Sequence, residues 1–345
     1  MASRNMRVGI LSAGGDCPGI NAAIRGVGKT AIVQYGMDVV GIINGFNGLI
    51  EKETIELYEQ QLSGILTLGG TILGTSRLKP FKIVEGEDPR TKPELIKKHY
   101  QELGLEALVC IGGNGTQTTA SLLAKEGLNI IGMPKTIDND IWGTDTTFGF
   151  DTAVHIATEA IDRLHTTANS HKRVMVIEVM GHNAGWIALH SGIAGGGDVI
   201  LLPEIPYDLD LVAECLMERS RKKKPYSIVV VAEGIEKQSK KSAGAYIAKQ
   251  IRKITGLEAR ETILGYIQRG GTPTSTDRIL ATQLGSYAAE LIHQRKFGTM
   301  VAMQNGKITS IPLDKVGGKI KLVEPDHPLI VEGKHMGVCF GNGSK

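Results

Sequence analysis

The stretch IGGNGT, residues 111–116, combines residue types that suit binding of a phosphate group. It follows the apolar run ALVC and precedes TQTTASLLAKEG, which is typical of a helix. Glycines let backbone N–H groups approach a phosphate closely, and the start of a helix favours negative charge. The loop carries the amide Asn114 where a magnesium-assisted site usually has a carboxylate. The sequence therefore predicts a phosphate loop with an unusual metal ligand.

Six further loops, which are mostly Gly-rich turns with an acid or a base, follow other apolar runs. They are AGGDCPG, LGGTILGTSRL, PKTIDND, EVMGHNAG, VAEG and YIQRGG. In open α/β sheets, ligands bind beyond the carboxyl ends of the strands. Acids and arginines at such ends suit phosphoryl transfer, which depends mainly on positioning and charge neutralisation. A single GG turn is more often only a tight bend, but so many loops of this kind favour a functional site.

The elements that must position these loops are short apolar strands alternating with amphipathic helices. The pattern predicts, among others, a helix over residues 20–36, a strand over residues 261–271 and a hairpin over residues 297–313. Such alternation is typical of parallel βαβ units covered on both faces. No Pro- or Ser-rich linker divides the halves, so we expect an α/β protein of two interwoven Rossmann-like domains with mainly parallel sheets.

Composition narrows the class of function. With 345 residues the chain exceeds the usual size of one domain, and its net charge is only +3, which gives no reason to expect nucleic acid or membrane binding. The apolar stretch near the N-terminus is too short for a signal peptide. The four cysteines form no CxxC pair, which is typical of a reduced, cytoplasmic protein. They are Cys17, Cys110, Cys215 and Cys339.

Six strings of the sequence, in this order, resemble the 6-phosphofructokinase family of bacterial type, close to its mixed ATP- and pyrophosphate-dependent group. They are GGDCPGINAAIRG, GGTILGTSR, PKTIDNDIWGTDTTFGFDTA, SHKRVMVIEVMGHNAGWIA, VAEG and GYIQRGGTPTSTDRILA. The resemblance spans about residues 7–300, and the TIDND and QRGG motifs are specific to that family. NAD kinases and lipid kinases also carry a GGDGT-type loop but lack both motifs.

This resemblance implies a phosphofructokinase fold and an activity. Residues 1–149 plus about 267–320 would form the phosphoryl-donor domain, and residues 150–266 plus about 321–345 the fructose 6-phosphate domain. The expected reaction moves a phosphoryl group from ATP to the 1-hydroxyl of fructose 6-phosphate, a step of glycolysis. The expected cofactor is Mg²⁺, and the expected assembly is a homo-oligomer without nucleic acid or membrane partners.

The resemblance also implies roles for residues on the donor side. Asp138 would be the general base, Asp140 would help position the metal or the base, and Thr136 would bind the transferring group. Asn114 stands where the family has an acid associated with magnesium, so we expect it to bind the metal weakly, directly or through water. The expected donor-binding residues are Gly14, Arg77, Leu78, Gly113, Asn114, Gly115, Thr116 and Lys135.

On the sugar side, the resemblance implies that two arginines reach the site of a neighbouring subunit. These are Arg173 and Arg260, and arginine suits the role because its fork grips a phosphate through two hydrogen bonds. The remaining expected substrate-binding residues are Thr136, Asp138, Met180, Gly181, His182, Glu233, Tyr266 and Arg269.

Three alternatives stay open at this point. Gly115 leaves room for the α-phosphate of ATP, whereas Lys135 resembles the lysine of pyrophosphate-dependent relatives, so pyrophosphate is the first alternative donor. Asn114 and His182 stand where the family has an acid and an arginine. The second alternative is therefore a catalytically weakened paralogue that binds sugar phosphate or nucleotide as a regulatory subunit. A dehydrogenase is a poor third, because GGDCPG is not a GxGxxG motif.

Overall fold

The computed structural model describes residues 5–83, 85–86 and 88–343. By contacts the chain divides into two compact units. Unit 1 comprises Met1–Thr136, Ile141–Asp151 and Arg269–Ile320, and unit 2 comprises Ile137–Asp140, Thr152–Gln268 and Lys321–Lys345. The sequence predicts domain boundaries after residue 149, at about residue 266 and at about residue 320. Positions 1–4, 84, 87 and 344–345 of the predicted domains lie outside the described residues. Which ligand each domain binds stays a prediction.

Within the described residues, eleven strands form two sheets. In chain order they are β1 (Arg7–Ala13), β2 (Asp38–Ile42), β3 (Thr54–Glu56), β4 (Ala107–Gly112), β5 (Ile130–Pro134), β6 (Val174–Val179), β7 (Val199–Leu201), β8 (Ser227–Ala232), β9 (Ala259–Ile263), β10 (Thr299–Gln304) and β11 (Lys307–Pro312). The α-helices are α1 (Ile20–Lys29), α2 (Gly45–Glu51), α3 (Thr91–Glu102), α4 (Asn114–Lys125), α5 (Phe150–His171), α6 (Trp186–Ala194), α7 (Leu209–Arg221), α8 (Ala243–Thr255), α9 (Ser275–His293) and α10 (Pro328–His335).

The sheet of unit 1 has the strand order β11-β10-β5-β4-β1-β2-β3. Its five inner strands pair in parallel, and β3 and β11 add antiparallel edges. Strand β4 is buried along its whole length and β1 along all but its first residue, as expected of parallel strands covered on both faces. The predicted α/β class with mainly parallel sheets is confirmed, as is the hairpin, which β10 and β11 form.

Unit 2 holds a smaller sheet of four parallel strands, in the order β7-β8-β6-β9. Strands β6 and β8 are fully buried runs of mostly β-branched residues. Helix α8 begins at Ser242, whose side chain accepts a hydrogen bond from the N–H of Ala245, and it ends before Gly256, which has a φ of 71°. The sequence thus marks both ends of this helix.

Two element predictions were wrong in extent. The strand expected over residues 261–271 ends at Ile263, and a 3₁₀ helix follows over Gly265–Arg269, because Gly265 turns the chain with a φ of 54°. The helix expected over residues 20–36 is α-helical only to Lys29 and continues as a π-helix over Thr30–Gln34. Nowhere in the described part of the chain does a helix combine the length and apolar character that a membrane crossing requires.

Candidate functional site

Three strands of unit 1 end side by side. Ala13 at the end of β1 pairs with Gly112 at the end of β4, and Gly112 pairs with Pro134 at the end of β5. The next residue of each strand therefore emerges at the same edge of the sheet: Gly14, Gly113 and Lys135. All three are predicted donor-binding residues, so the register of the sheet explains why positions far apart in sequence come together.

The loop after β1 contains two successive glycines, and its backbone conformation favours glycine at the first of them. Gly14 has a φ of 88°, a conformation that disfavours other residues. Its N–H donates to the carbonyl of Ser76 at 2.9 Å, and its carbonyl accepts from Thr75 Oγ1 at 2.8 Å. These bonds tie the turn before Arg77 to the loop, and Arg77 itself is exposed. A side chain at Gly15 would collide with the guanidinium of Arg269, which lies against this loop.

Lys135 is a buried cation that donates hydrogen bonds to carbonyls at the start of the β1 loop. Its side chain is only 2% exposed, and its ammonium donates to the carbonyl of Ala13 at 3.0 Å and to that of Gly15. A Cβ atom added to Gly14 would lie 3.8 Å from Lys135 Nζ and 3.9 Å from Thr116 Oγ1. The ammonium is thus fixed close to the backbone that the sequence assigns to donor phosphates.

Helix α4 starts at the predicted phosphate loop, with Gly113 as its N-cap residue in extended conformation. Gly115 is exposed in the first turn, and a Cβ atom there would meet Lys79 Cε at 3.7 Å. Thr116 is buried, and its hydroxyl donates to the carbonyl of Ala13 at 3.3 Å. The helix N-terminus therefore presents N–H groups and a partial positive charge beside Lys135.

Two other predicted residues of unit 1 have structural partners. Leu78 is partly buried and packs against the hydrophobic core of this unit. Thr136 follows Lys135, and its carbonyl accepts a hydrogen bond from Thr147 Oγ1 at 2.8 Å.

Cys17 in the β1 loop is fully covered; burial raises its pKa to about 12, while Lys135 opposes that rise. Its thiol stays protonated at neutral pH and is no nucleophile.

The strands of unit 2 also end in a row. Val179 at the end of β6 pairs with Ala232 at the end of β8, so Met180 and Glu233 emerge together. One carboxylate oxygen of Glu233 accepts from the N–H of His182 at 2.9 Å and from that of Gly181 at 3.3 Å. The structure thus brings together four predicted sugar-binding residues: Met180, Gly181, His182 and Glu233.

His182 is held in an unusual conformation at this turn. It has a φ of 53°, which costs a residue other than glycine about 1–2 kcal/mol, and its side chain is exposed. The hydrogen bond to Glu233 compensates for part of that cost. Backbone strain of this kind often occurs at functional sites.

Two predicted arginines share one carboxylate. Arg173 Nε lies 2.8 Å from one oxygen of Glu258, and Arg260 lies 2.9 Å from the other. Strands β6 and β9 run in parallel with Val174 opposite Ala259, which places the two arginines on neighbouring strands. Hydrogen bonds from Arg173 and then Arg260 hold the pKa of Glu258 below its usual range. Tyr266, a further predicted residue, is 74% exposed on the 3₁₀ helix.

The predicted acids lie on a short segment of unit 2, Ile137–Asp140, called here the acid loop. Asp138 and Asp140 are each half-buried, and one oxygen of Asp138 is fully covered. Between them Asn139 is 3% exposed and has a φ of 52°. Asn139 accepts a hydrogen bond from Lys321 Nζ at 3.0 Å, and the carbonyl of Asp140 accepts from the N–H of Lys321 at 2.8 Å.

The sequence did not predict the residues whose side chains accept hydrogen bonds from the backbone of these loops. Gln268 is fully buried and accepts from the N–H of Met180 at 3.3 Å. Glu204 accepts from the N–H of Gly185 at 2.9 Å and from that of Val323 at 3.0 Å. The QRGG motif contains Gln268 and was a usable signal, whereas nothing in the sequence around Glu204 or Lys321 indicated their partners.

Both units place Gly-rich loops and charged side chains beyond the carboxyl ends of parallel strands. This arrangement defines the class of α/β proteins that bind their ligands at strand ends. The sequence model of one family, described as Phosphofructokinase, matches residues 7–292. The chain belongs to the phosphofructokinase family.

Three similar proteins illustrate the range of that family. The chain is 61% identical over 339 residues to ATP-dependent 6-phosphofructokinase 3 of Bacteroides thetaiotaomicron, covering 97% of this chain and 100% of that protein. It is 48% identical to the pyrophosphate–fructose 6-phosphate 1-phosphotransferase of Streptomyces coelicolor, covering 97% and 100%. The crystal structure of Pichia pastoris phosphofructokinase in the T-state matches with a TM-score of 0.84 and 33% identity, over 91% of this chain and 35% of that one.

Proposed function

We infer that this protein transfers the terminal phosphoryl group of ATP to the 1-hydroxyl of fructose 6-phosphate, which yields fructose 1,6-bisphosphate and ADP. The observation that carries this conclusion is the 61% identity, over the full length of the relative, to a protein named as ATP-dependent 6-phosphofructokinase. As a step of glycolysis the reaction would take place in the cytoplasm. The loops described above supply residues for each part of it.

We assign donor binding to the row of strand ends in unit 1. The N-terminus of α4, with Gly113 and Thr116, would hold donor phosphates through backbone and hydroxyl groups. Gly115 would leave room for the α-phosphate, because it carries no side chain toward solvent. Lys135 would add a fixed positive charge near these phosphates and Arg77 a mobile one.

We assign the chemical step to the acid loop. The carboxylate of Asp138 would accept the proton of the sugar 1-hydroxyl as that oxygen bonds to the terminal phosphorus of ATP. The bond from this phosphorus to the bridging oxygen breaks, and the electron pair leaves with ADP. Asp140 would help position the metal or the base, and Thr136 would hydrogen-bond to the transferring group.

We assign the sugar phosphate to the row of strand ends in unit 2. Glu233 already accepts backbone N–H groups with one oxygen, and its carboxylate suits sugar hydroxyl groups as donors. Met180 and Gly181 shape the same turn. His182 and Tyr266 would add polar contacts. Arg269, whose guanidinium lies against the β1 loop of unit 1, stays a sugar-phosphate ligand only as the resemblance implies, and arginine suits a phosphate because it binds through a fork.

The protein oxygens near the start of α4 also fit a magnesium ion that arrives together with the phosphoryl donor. Among the described residues, no three His, Cys, Asp or Glu side chains cluster around one point. Mg²⁺ in kinases is usually held by substrate phosphates, waters and one or two protein oxygens. Asn114, in the first turn of α4, would supply one such oxygen, directly or through water. When bound, Mg²⁺ neutralises charge on the phosphates.

Pyrophosphate is the second candidate donor. Lys135 supports it as the lysine expected of pyrophosphate-dependent relatives, and the chain is 48% identical to a pyrophosphate–fructose 6-phosphate 1-phosphotransferase. Pyrophosphate lacks the α-phosphate, so it does not need the space at Gly115. An aspartate there would crowd and repel that group of ATP only.

The test is an assay of the purified chain with fructose 6-phosphate and Mg²⁺, comparing ATP with pyrophosphate at equal concentration. We expect turnover with ATP, and we expect Gly115→Asp to lower kcat/KM for ATP by about 100-fold or more, as a steric and charge conflict would. Thr91→Asp, which adds the same charge at an exposed position in the first turn of α3, is the control. Turnover with pyrophosphate alone would transfer the conclusion to the second candidate. No turnover with either donor, in a folded protein that binds fructose 6-phosphate, would favour a regulatory subunit.

We also propose that the protein is a homo-oligomer in which Arg173 and Arg260 reach the site of a neighbouring subunit. Their shared partner Glu258 keeps both on one edge of the small sheet, beside β9. The test mixes two inactive variants, Arg173→Ala and Asp138→Asn, after mild dissociation. Restored turnover in the mixture supports a shared site, whereas a mixture as inactive as its parts contradicts it.

A further inference from the structure

The C-terminal segment contacts the acid loop through its backbone. The N–H of Lys321 donates to the carbonyl of Asp140 at 2.8 Å. At the adjacent positions, Ile141 after Asp140 and Ile320 before Lys321 form an antiparallel bridge. Residues 320–321 therefore run alongside residues 140–141, so the position of the loop depends on a segment almost two hundred residues away in sequence.

The side chain of Lys321 makes a second contact with the same loop. Its ammonium donates to Asn139 Oδ1 at 3.0 Å, and Asn139 is 3% exposed with a φ of 52°. Asparagine tolerates this left-handed conformation better than most residues, but it is still uncommon. A charge-assisted hydrogen bond to the side chain favours this conformer. Because Asn139 separates Asp138 from Asp140, its conformation sets the directions in which the two carboxylates leave the backbone.

Lys321 is itself fixed by its neighbours. The indole N–H of Trp186 donates to the carbonyl of Lys321 at 3.0 Å, and the ammonium lies 5.3 Å from the centroid of the same indole ring, within the range of a cation–π contact. The ring of His327 meets that of Trp186 edge-on, with centroids 5.3 Å apart. An ammonium held by these contacts can impose a conformation on Asn139, which a mobile surface lysine cannot do.

We propose that Lys321 is a positioning residue for the acid loop: it holds Asn139 in its left-handed conformation and so aims Asp138 and Asp140 for phosphoryl transfer. The inference rests on the proposed function for its catalytic consequence. Lys321 acts on the two acids through Asn139. A misplacement of about 1 Å at a reacting group can cost about 100-fold in rate.

The experiment compares Lys321→Met with Lys321→Arg and with Lys319→Met. The methionine keeps most of the stem but removes the ammonium, while the arginine keeps the charge. Lys319 is the matched control, because its ammonium also lies over a tryptophan, 5.7 Å from the centroid of the Trp142 ring. We expect Lys321→Met to lower kcat about 10- to 100-fold with both KM values within about twofold of wild type. Lys321→Arg should recover most of the loss, and Lys319→Met should match wild type.

Asn139→Gly provides an independent variant, because glycine accepts the left-handed φ but has no side chain to hold. In that background, Lys321→Met should have little further effect on kcat. A wild-type kcat for Lys321→Met, or a full additional loss in the glycine background, would overturn the proposal. If Lys321→Met does not fold, Asn139→Ala decides, because alanine removes the acceptor of the ammonium and disfavours the left-handed φ. An unchanged kcat in that variant would contradict the positioning role.

Hydrogen exchange separates this inference from the proposed function. If the wild-type chain shows no turnover with either donor, the proposed function fails, but exchange at the amides of residues 139–141 still reports on the loop. We expect Lys321→Met to speed that exchange about tenfold or more, as loss of a local tie does. Unchanged exchange in this variant would overturn the positioning role by itself.

Discussion

In both sheets, the loops that follow the parallel strands emerge side by side. A buried cation holds these loops in unit 1, whereas a carboxylate holds them in unit 2. In unit 1 the ammonium of Lys135 gathers the carbonyls of Ala13 and Gly15. In unit 2 the carboxylate of Glu233 gathers the N–H groups of Gly181 and His182. Each charge satisfies backbone groups that a tight Gly-rich turn leaves without partners of its own.

The sign of the charge indicates what each row suits. A fixed cation next to a helix N-terminus attracts a ligand with several negative charges, such as a nucleoside triphosphate or pyrophosphate. A carboxylate accepts hydrogen bonds from hydroxyl groups and repels phosphate, so it suits the sugar ring rather than the phosphate of a sugar phosphate. Under the proposed function, the same α/β design would thus provide two different kinds of binding surface.

The largest effect is expected from a substitution in the acid loop, which belongs to neither row of strand ends. Asp138→Asn should lower kcat by about 100- to 10,000-fold, because an amide cannot accept the proton of the sugar hydroxyl. Both KM values should change little, since the two rows stay intact. Steady-state kinetics checks this, with Asp314→Asn as a control that removes one exposed carboxylate. Unchanged turnover would remove Asp138 from the role of base.

The next effect concerns the cation of unit 1. Lys135→Met should lower kcat/KM for the donor about 100-fold and the free energy of unfolding by about 1–3 kcal/mol, because the carbonyls of Ala13 and Gly15 each lose a charged donor. The KM for fructose 6-phosphate should stay close to its wild-type value. Urea unfolding and donor titration measure both effects, with the exposed Lys125→Met as control. An equal loss for the sugar would contradict the division between the rows.

The corresponding change in unit 2 should have the opposite selectivity. Glu233→Ala should raise the KM for fructose 6-phosphate about 10- to 100-fold, because Gly181 and His182 lose a charged acceptor. The KM for the donor should not change. Glu233→Gln keeps an acceptor oxygen and should have a smaller effect. Direct binding of fructose 6-phosphate by calorimetry distinguishes weaker binding from slower chemistry, and an unchanged affinity would contradict the assignment.

The smallest expected effect concerns the metal. Asn114→Asp restores a carboxylate at the start of α4, where negative charge is also favourable. The concentration of Mg²⁺ that gives half-maximal activity should fall roughly threefold to tenfold, since hard cations prefer carboxylates. Titration of Mg²⁺ at fixed donor concentration checks it. If the requirement does not change, Asn114 takes no part in metal binding.

Much of the arrangement could be predicted from the sequence because the signals were local. Buried parallel strands are continuous apolar runs, and the glycines after them mark the turns, so the order of strands and loops was accessible. The register that aligns Ala13, Gly112 and Pro134 follows from pairing between strands, which the sequence does not display. The strand expected over residues 261–271 was wrong beyond Ile263, because one glycine with positive φ outweighed an apolar pattern.

The residues that hold the loops in place could not be predicted from the sequence, for a different reason. Gln268, Glu204 and Lys321 act on backbone groups that are distant in sequence, and each looks like an ordinary polar residue in its own surroundings. Their roles depend on tertiary packing alone. A family resemblance therefore identifies the residues that contact ligands far more readily than the residues that hold those residues in position.

The interleaving of the two units has a consequence for synthesis on the ribosome. The four strands of the smaller sheet are contiguous, from β6 to β9, so this sheet can be complete when residue 263 has emerged. Strand β5 pairs with β10, and Gly26 of α1 lies so close to Gly285 of α9 that a side chain there would clash. The first five strands of the larger sheet therefore wait for α9, β10 and β11, and the surfaces that these elements cover stay exposed until the last strands are translated. In that interval the nascent chain is most exposed to aggregation and most in need of a chaperone.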